Sequence, residues 1–212
     1  MVISETVYGG YLAFLLSGKK AECVTIVQGL IDQKILVKDL YLELFQRSMY
    51  QVGKLWEENK ISVATEHMAT AITEGLLQLV YPMLFSADHV GKSAIIACVP
   101  QEYHQLGAKM VADIFELNGW DGYFVGANTP TEDLLGNIHE KKPDLVALSM
   151  SLYVSLKGMD EMLQGLTSTF PKLDIIVGGQ GFLWGGVEVV NSYPNVRYVK
   201  SLDSLVQIIK TY

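Results

Sequence analysis

Hydrophobic residues in the first 86 positions recur at helical spacing. The stretch from Tyr41 to Trp56 is typical, because its apolar residues follow one another in steps of three and four and so share one helix face. Breaks at Gly18, 33–37 and 59–62 divide this half of the chain, with Ser62 as the expected N-cap of the last helix. The predicted helices cover 4–17, 20–33, 38–59 and 63–86. Four helices with short connections indicate an antiparallel bundle.

After residue 86 the period changes, and short apolar runs alternate with helical patterns. Five such β/α repeats predict a parallel sheet covered by helices on both faces, with right-handed crossovers. The predicted strands cover 93–99, 122–126, 144–149, 173–177 and 196–199, and the predicted helices cover 104–118, 131–141, 156–168, 183–191 and 202–210. The expected fold class is therefore α/β, with a four-helix bundle (1–88) followed by a flavodoxin- or Rossmann-like five-stranded domain (89–212).

Composition argues against several classes of protein. Its 212 residues are half apolar, which is enough for a real core and argues against disorder. The net charge is −7 and no cluster of Lys or Arg exceeds a pair, so we expect no direct binding of nucleic acid. No apolar run approaches the length of a membrane span, and we expect a cytoplasmic protein. The two cysteines, Cys23 and Cys98, have mostly apolar surroundings and are expected to be reduced.

Polar and small residues follow the predicted strands, at the edge where open parallel sheets bind ligands. They are Glu102, His104 and Gly107 after the first strand, Ser149 and Ser151 after the third, and Gly178-Gly179 after the fourth. Taken singly, each has an ordinary structural explanation as a cap, a turn or a structural histidine. No phosphate-binding loop motif follows the first strand. The combination of these residues and their spacing is what indicates a ligand site.

The spacing of these residues carries a resemblance. Glu102-x-His104-x-x-Gly107 is followed after 41 residues (108–148) by Ser149-x-Ser151, and after 26 more (152–177) by Gly178-Gly179. This pattern resembles the cobalamin-binding signature of methionine synthase and the B12-dependent mutases, D-x-H-x-x-G…S-x-L…G-G, in its methionine synthase spacing. Glu102 stands where the family has Asp, and Ser151 stands where it has Leu.

The resemblance implies cobalamin as the cofactor and His104 as its metal ligand. In that family the histidine displaces the dimethylbenzimidazole of the cofactor and binds cobalt from below, in the base-off, His-on form. Glu102 would then accept a hydrogen bond from the second ring nitrogen. The other cofactor contacts predicted in this half are Tyr103, Gly107, Ser149, Ser151, Gly178, Gly179, Gln180 and Phe182. The upper ligand (adenosyl, methyl or water) is left open.

The helical half contains Trp56, nine further residues, and then Glu66-His67. This resembles the W-x9-E-H motif of the helical cap in the MerR-type B12-dependent photoreceptors. The resemblance implies that Trp56, Val63, Glu66 and His67 form a lid over the upper face of cobalamin. On the residues alone, Trp56 is more often a core aromatic, with Glu66-His67 a solvated first turn, and the cobalamin-binding signature is what favours the lid. Glu57 replaces the photoreceptor histidine that becomes an upper ligand after illumination, so the same photoproduct is not expected.

Three functions stay open on this evidence. The first is a stand-alone B12 sensor or binding module, including a light sensor, with output through oligomerisation or a signalling partner. The second is a corrinoid methyl carrier that serves partner methyltransferases, and the third is a cobalamin storage protein. The W-x9-E-H motif favours the first function and Glu57 favours the second. No segment resembles a complete catalytic domain, so we expect no turnover by the chain alone, and an exposed apolar bundle face would favour a homo-oligomer.

Overall fold

The computed structural model describes residues 2–212 and divides into two compact units, Met1–Leu84 and Phe85–Tyr212. The sequence-based boundary at residue 88 lies in the loop just past this division. Each unit has its own buried core and is described by itself.

The first unit is built from helices. They are α1 (Glu5–Leu16), α2 (Lys20–Asp32), α3 (Val37–Leu40), α4 (Arg47–Glu57) and α5 (Val63–Leu84). The predicted N-cap of α5 is confirmed, because the Ser62 hydroxyl accepts a hydrogen bond from the Thr65 N–H at 3.2 Å. No helix within residues 2–212 has the length and apolar character needed to cross a membrane.

A π-helical turn, Tyr41–Gln46, separates α3 from α4. Its Tyr41, Leu44 and Phe45 side chains are fully buried, and the Phe45 ring contacts that of Tyr11 with centroids 6.3 Å apart. The helix predicted over 38–59 is therefore correct in extent, but it is not a continuous α-helix because residues 41–46 form the π turn. A single π turn keeps apolar residues three and four positions apart, so the sequence pattern does not reveal it.

Within the described part of the second unit, five parallel strands form one sheet in the order β2-β1-β3-β4-β5. They are β1 (Ser93–Cys98), β2 (Asp121–Gly126), β3 (Leu145–Ser149), β4 (Asp174–Gly178) and β5 (Val196–Tyr198). This is the flavodoxin-like order, in which the winding direction reverses between β1 and β3. The predicted α/β class with a parallel sheet is confirmed.

Helices cover the sheet of the second unit. They are α6 (Leu106–Glu116), α7 (Thr131–Lys141), α8 (Leu156–Thr169), α9 (Val187–Val190) and α10 (Leu202–Ile209). Ile95 and Ala97 of β1 share a cluster with the buried residues of α7 and α8. Ile96 and Cys98 point to the opposite face, because side chains alternate along a strand, and they are buried as well. The central strand is thus covered on both faces, as parallel sheets require.

The loop before β1 is attached to the edge of the sheet. The Val90 N–H donates to the Gly119 carbonyl at 2.8 Å, and the His89 ring pairs with Asp121 at 2.8 Å. Gly119 has φ +77°, and a Cβ there would overlap the Asp88 carbonyl. Only glycine therefore allows the loop to pack this closely.

Candidate functional site

The loop after β1 carries the first predicted residues of the site. The helix predicted over 104–118 begins two residues later, at Leu106, so His104 lies in the loop rather than in the helix. Gln101, inside this loop, has φ +64°, a conformation that is uncommon for a residue with a Cβ. The loop therefore holds His104 at the carboxyl end of β1 in a defined, non-helical backbone.

The His104 imidazole lies against a buried carboxylate. Its Nδ1 is 2.6 Å from Glu102 Oε1, and the His104 backbone N–H donates to the same oxygen at 2.9 Å. The His104 side chain is 45% exposed, whereas that of Glu102 is 0% exposed. A hydrogen bond from Nδ1 to a carboxylate fixes the ring orientation and makes Nε2 the nitrogen that can bind a metal.

The second oxygen of Glu102 joins this loop to the loop after β3. Glu102 Oε2 accepts hydrogen bonds from the backbone N–H groups of Ser151 and Leu152, at 2.8 and 2.9 Å. Burial raises the pKa of Glu102, but the hydrogen bonds from His104 and Leu152 outweigh burial and hold that pKa below its ordinary value. The carboxylate is therefore ionised at neutral pH, and it accepts hydrogen bonds from both the loop after β1 and the loop after β3.

The two predicted serines have partners within the loops. Ser149 ends β3 and is buried, and its carbonyl accepts a hydrogen bond from the Val99 N–H at 3.2 Å. The Ser151 hydroxyl is 3.4 Å from the His104 carbonyl. Ser151 occupies the position where the family pattern has Leu, and here it supports the His104 loop. This contact is not predictable from the motif.

The glycines of the site differ in what they permit. Gly179 has φ +115°, and a Cβ there would overlap the Met150 carbonyl group. A Cβ at Gly178 would lie 3.0 Å from the Val199 carbonyl oxygen. Close backbone packing thus accounts for both residues. A Cβ at Gly107 would meet no atom within 4 Å, so the first turn of α6 borders open space.

Apolar side chains are exposed on the loops at this edge of the sheet. The larger ones are Tyr103, Leu152, Tyr153, Val154, Leu183 and Trp184. Of the residues predicted here, Tyr103 is exposed, Gln180 is partly buried, and Phe182 packs into the core with its ring centroid 4.9 Å from that of Tyr198. The sequence predicts a contact by Phe182, whereas its neighbour Trp184 is exposed at this edge. Motif spacing does not reveal which of several consecutive apolar residues faces the core.

The donor set at this edge suits a corrinoid. In the part of the chain that the structure describes, no group of three or more His, Cys, Asp or Glu side chains is arranged to hold a metal ion. A corrin ring brings four nitrogen ligands of its own, so one axial donor is all that the protein must supply. His104 is half exposed and hydrogen-bonded through Nδ1, and open space borders Gly107 nearby in sequence. These residues fit cobalamin.

The predicted lid residues lie where α4 ends and α5 begins. Trp56 is 40% exposed and Val63 is 52% exposed, so Trp56 is not a core aromatic. The Glu66 side chain is 13% exposed and accepts a hydrogen bond from the Thr70 hydroxyl at 2.9 Å, whereas the His67 side chain is 74% exposed. The role of these residues above a corrinoid stays a prediction.

Comparisons with known protein families point to the same cofactor. A model described as a B12 binding domain matches residues 92–189, and a second model with that description matches residues 9–81. The transcriptional repressor CarA of Myxococcus xanthus is 30% identical over 122 residues, which are 58% of this chain and 42% of CarA. CarH of the same organism is 28% identical over 143 residues, or 65% and 46% of the two chains. The matched region thus spans less than half of either relative.

Solved structures share the fold at low sequence identity. The monomethylamine corrinoid protein of Methanosarcina barkeri superposes with a TM-score of 0.84 at 13% identity, covering 99% of this chain and 100% of that one. The methanol:cobalamin methyltransferase complex MtaBC of the same organism gives 0.50 at 16% identity, with 99% and 82% covered. Identities this low establish the fold alone. The two B12 binding domain matches, together with the fold, place the chain among the cobalamin-binding domain proteins.

Proposed function

We propose that this protein holds its corrinoid in the base-off, His-on form, with His104 Nε2 as the lower ligand of cobalt. The observation that carries the proposal is the 2.6 Å contact between His104 Nδ1 and a carboxylate that is 0% exposed. A carboxylate partner fixes the imidazole tautomer and strengthens the ring as a donor. When bound, the cobalt corrin supplies an upper coordination position that can carry an alkyl group.

The other predicted contacts belong to the same proposal. Tyr103 would pack against the corrin edge, since its side chain is 69% exposed beside His104. The displaced nucleotide would lie along the loops after β1, β3 and β4, and the residues proposed to contact it are Gly107, Ser149, Ser151, Gly178, Gly179, Gln180 and Phe182. Exposed Trp184 is a further candidate contact at the same edge.

The lower ligand can be tested by labelling. Protein containing ¹⁵N-histidine is loaded with cob(II)alamin, and the axial nitrogen is identified by electron paramagnetic resonance. A ¹⁵N axial ligand splits each cobalt line into a doublet, whereas the ¹⁴N of benzimidazole gives a triplet. We expect a doublet in the wild type and its loss in His104→Ala. The control is His139→Ala, an exposed residue of α7. A doublet that persists in His104→Ala would contradict the assignment.

The exposed residues of the α4–α5 connection support a lid over the upper face. In this proposal Trp56, Val63, Glu66 and His67 limit access to the upper coordination position. We expect Trp56→Ala to speed the binding of cyanide to protein loaded with hydroxocobalamin. Tyr81→Ala, at an exposed position further along α5, is the control. Equal rates of cyanide binding in the two variants would show that Trp56 is not part of the lid.

For the cellular role, a B12 sensor is the first candidate. The W-x9-E-H residues and the sequence similarity to CarA, which is named as a transcriptional repressor, support it. A sensor must change state with its ligand. We expect illumination of the adenosylcobalamin-loaded protein to change its absorption spectrum and its mass by light scattering. If both stay the same in light and dark, a light-sensing role is excluded.

A corrinoid methyl carrier is the second candidate. It is favoured by Glu57, which replaces the photoreceptor histidine, and by the whole-length fold similarity to the monomethylamine corrinoid protein. The fold similarity to the MtaBC complex suggests a methyltransferase as the partner. A carrier should gain a methyl group on cobalt when a methyl donor and the methyltransferases encoded beside its gene are supplied. Absence of methyl transfer with every such enzyme would argue against the carrier.

A further inference from the structure

The loop after β2 forms hydrogen bonds with Gln101 and Glu102, the two residues that come before Tyr103 and His104. This loop contributes nothing to the cobalamin-binding signature. Asn128 Oδ1 accepts a hydrogen bond from the Gln101 N–H at 2.7 Å, and the Asn128 N–H donates to the Glu102 carbonyl at 2.8 Å. Asn128 therefore holds both ends of the Gln101-Glu102 dipeptide, the N–H of Gln101 and the carbonyl of Glu102.

The segment held by Asn128 has an unfavourable backbone conformation. Gln101 has φ +64° and Asn128 has φ +47°, both in the left-handed region. Asn tolerates this region better than other residues with a Cβ, whereas Gln has no such advantage. Gln101 is exposed, so burial of its side chain does not hold the backbone there. The hydrogen bond from the Gln101 N–H to Asn128 is the side-chain contact that supports this conformation, alongside the bond from the Glu102 N–H to the Val99 carbonyl.

Asn128 itself belongs to a segment that is anchored on the sheet. The next residue, Thr129, is 7% exposed, and its N–H donates to the Cys98 carbonyl at the end of β1 at 3.2 Å. The Thr129 hydroxyl donates to the Gly126 carbonyl at 3.1 Å. Asn128 thus connects the His104 loop to the ends of β1 and β2.

We propose that Asn128 is a positioning residue for the axial ligand. The Glu102 backbone is held at its N–H by the Val99 carbonyl, at 3.1 Å, and at its carbonyl by Asn128. These contacts fix the backbone from which the Glu102 carboxylate reaches Ser151 and Leu152, and the carboxylate in turn orients the His104 ring. Asn128 acts through Glu102 and does not touch the metal. The proposal rests on the proposed function, in which His104 binds cobalt.

Two substitutions separate the side chain of Asn128 from its backbone. Asn128→Asp keeps an oxygen acceptor on a residue that tolerates φ above zero. Asn128→Gly keeps the N–H and the backbone freedom but removes the acceptor. We expect Asn128→Asp to behave like the wild type. Asn128→Gly should bind cob(II)alamin about tenfold more weakly, the lower end of the effect of losing a partner that orients a metal ligand.

The decisive readout is the axial nitrogen in ¹⁵N-histidine-labelled protein. The share of the ¹⁵N doublet should fall in Asn128→Gly and stay at its wild-type level in Asn128→Asp. A purely structural role would lower the melting temperature of the apoprotein and leave the doublet unchanged. Lys142→Gly serves as the control for glycine at a left-handed position, because Lys142 has φ +50° at the end of α7.

A second substitution at Gln101 tests the physical cause. Glycine adopts left-handed conformations without a steric penalty, so Gln101→Gly removes the need for the Asn128 acceptor. We expect Gln101→Gly to restore most of the doublet and of the affinity in the Asn128→Gly background. No recovery in the double variant would overturn the assigned cause.

The possible results distinguish a failure of the Asn128 proposal from a failure of His104 as the lower ligand. A wild-type doublet with an equal doublet and equal affinity in Asn128→Gly would overturn the role of Asn128 alone. A benzimidazole triplet in the wild type would overturn His104 as the lower ligand, and the role of Asn128 with it.

Discussion

The loop edge of the sheet and the connection between α4 and α5 both carry residues predicted to contact a corrinoid, but they hold their side chains differently. At the sheet edge, Glu102 is fully buried and accepts hydrogen bonds from His104, Ser151 and Leu152. At the helical connection, Trp56 and Val63 are about half exposed, at 40% and 52%. One region is held by hydrogen bonds within the protein, and the other presents exposed side chains.

This difference fits the two proposed roles. A lower ligand must keep one geometry, and hydrogen bonds to other parts of the protein reduce the entropy cost of ordering it. A lid must admit and release what it covers, so its side chains need freedom to move. Glu66 differs from Trp56 and Val63, because its side chain is mostly buried and its carboxylate accepts a hydrogen bond from the Thr70 hydroxyl.

The largest expected effect comes from removing the Glu102 carboxylate at the sheet edge. Glu102→Ala leaves the partly buried N–H groups of His104, Ser151 and Leu152 without this acceptor, and each should cost toward the lower part of the about 1–3 kcal/mol typical of a buried group. We expect the free energy of unfolding of the apoprotein in urea to fall by about 3–5 kcal/mol in total. Glu132→Ala, at an exposed position in the first turn of α7, is the control. A loss of under 1 kcal/mol would show that the carboxylate is not organising the loops.

Glu102→Asp sharpens the same test, because it restores the residue of the family pattern. The shorter side chain cannot keep all its partners on two loops, so we expect it to keep His104 and to lose Ser151 and Leu152. Faster hydrogen exchange at these two N–H groups, with His104 ligation retained, is the expected result. Unchanged exchange at both groups would be the opposing outcome.

The two kinds of glycine at the sheet edge predict opposite effects. Gly179→Ala forces a Cβ onto the Met150 carbonyl at φ +115°, and we expect a loss of about 2–4 kcal/mol in the free energy of unfolding. Gly107→Ala meets no neighbour and lies in a helix, so it should stabilise the apoprotein by about 0.5–1 kcal/mol. If Gly107 borders the nucleotide, the same variant binds cobalamin more weakly. Equal stability in the two variants would refute the packing argument.

A smaller effect compares one carboxylate from each unit. Asp144 accepts hydrogen bonds from the Ser93 N–H and from Lys92 Nζ, both at 2.9 Å. Burial raises its pKa, but these partners outweigh burial and lower that pKa below 3.8. A lowered folded-state pKa contributes stability above the unfolded value that is lost as the pH falls through the folded value. We expect Asp144→Asn to cost about 1 kcal/mol at pH 7 and progressively less below pH 4.

The matched carboxylate of the helical unit is Glu5, which pairs with Arg47 at 2.8 Å on the surface. Glu5→Gln should leave the urea midpoint unchanged, because exposed ion pairs contribute little. A larger loss in Glu5→Gln than in Asp144→Asn would reverse the comparison.

The smallest effect uses one cysteine in each unit as a reporter. Cys23 and Cys98 are both buried, and burial raises the pKa of Cys23 to about 11. Both thiols should react slowly with Ellman's reagent at pH 8. Cobalamin stabilises the unit that binds it, so its addition should slow labelling of Cys98. Labelling of Cys23 should slow as well if the helical unit forms a lid, and unchanged Cys23 labelling would indicate binding by the sheet unit alone.

Much of the fold was predictable from the chain because periodicity reports burial. The strand β1 is buried on both faces and reads as an uninterrupted apolar run, and the stripe from Tyr41 to Trp56 indicated a helix. The π turn within that stripe was not predictable, since it leaves the spacing intact. The start of α6 was also misplaced, because nothing local marks the loop that holds His104.

The sequence by itself determined which residues reach the candidate site. Strand ends bring Glu102, His104 and Ser149 to one edge, and their spacing is readable without coordinates. Only the tertiary structure decided what those residues contact. The partners of the Glu102 carboxylate include the N–H groups of Ser151 and Leu152, 49 and 50 residues away. Every residue except proline has the same backbone N–H, so no side-chain pattern indicates which of them a buried carboxylate will bind.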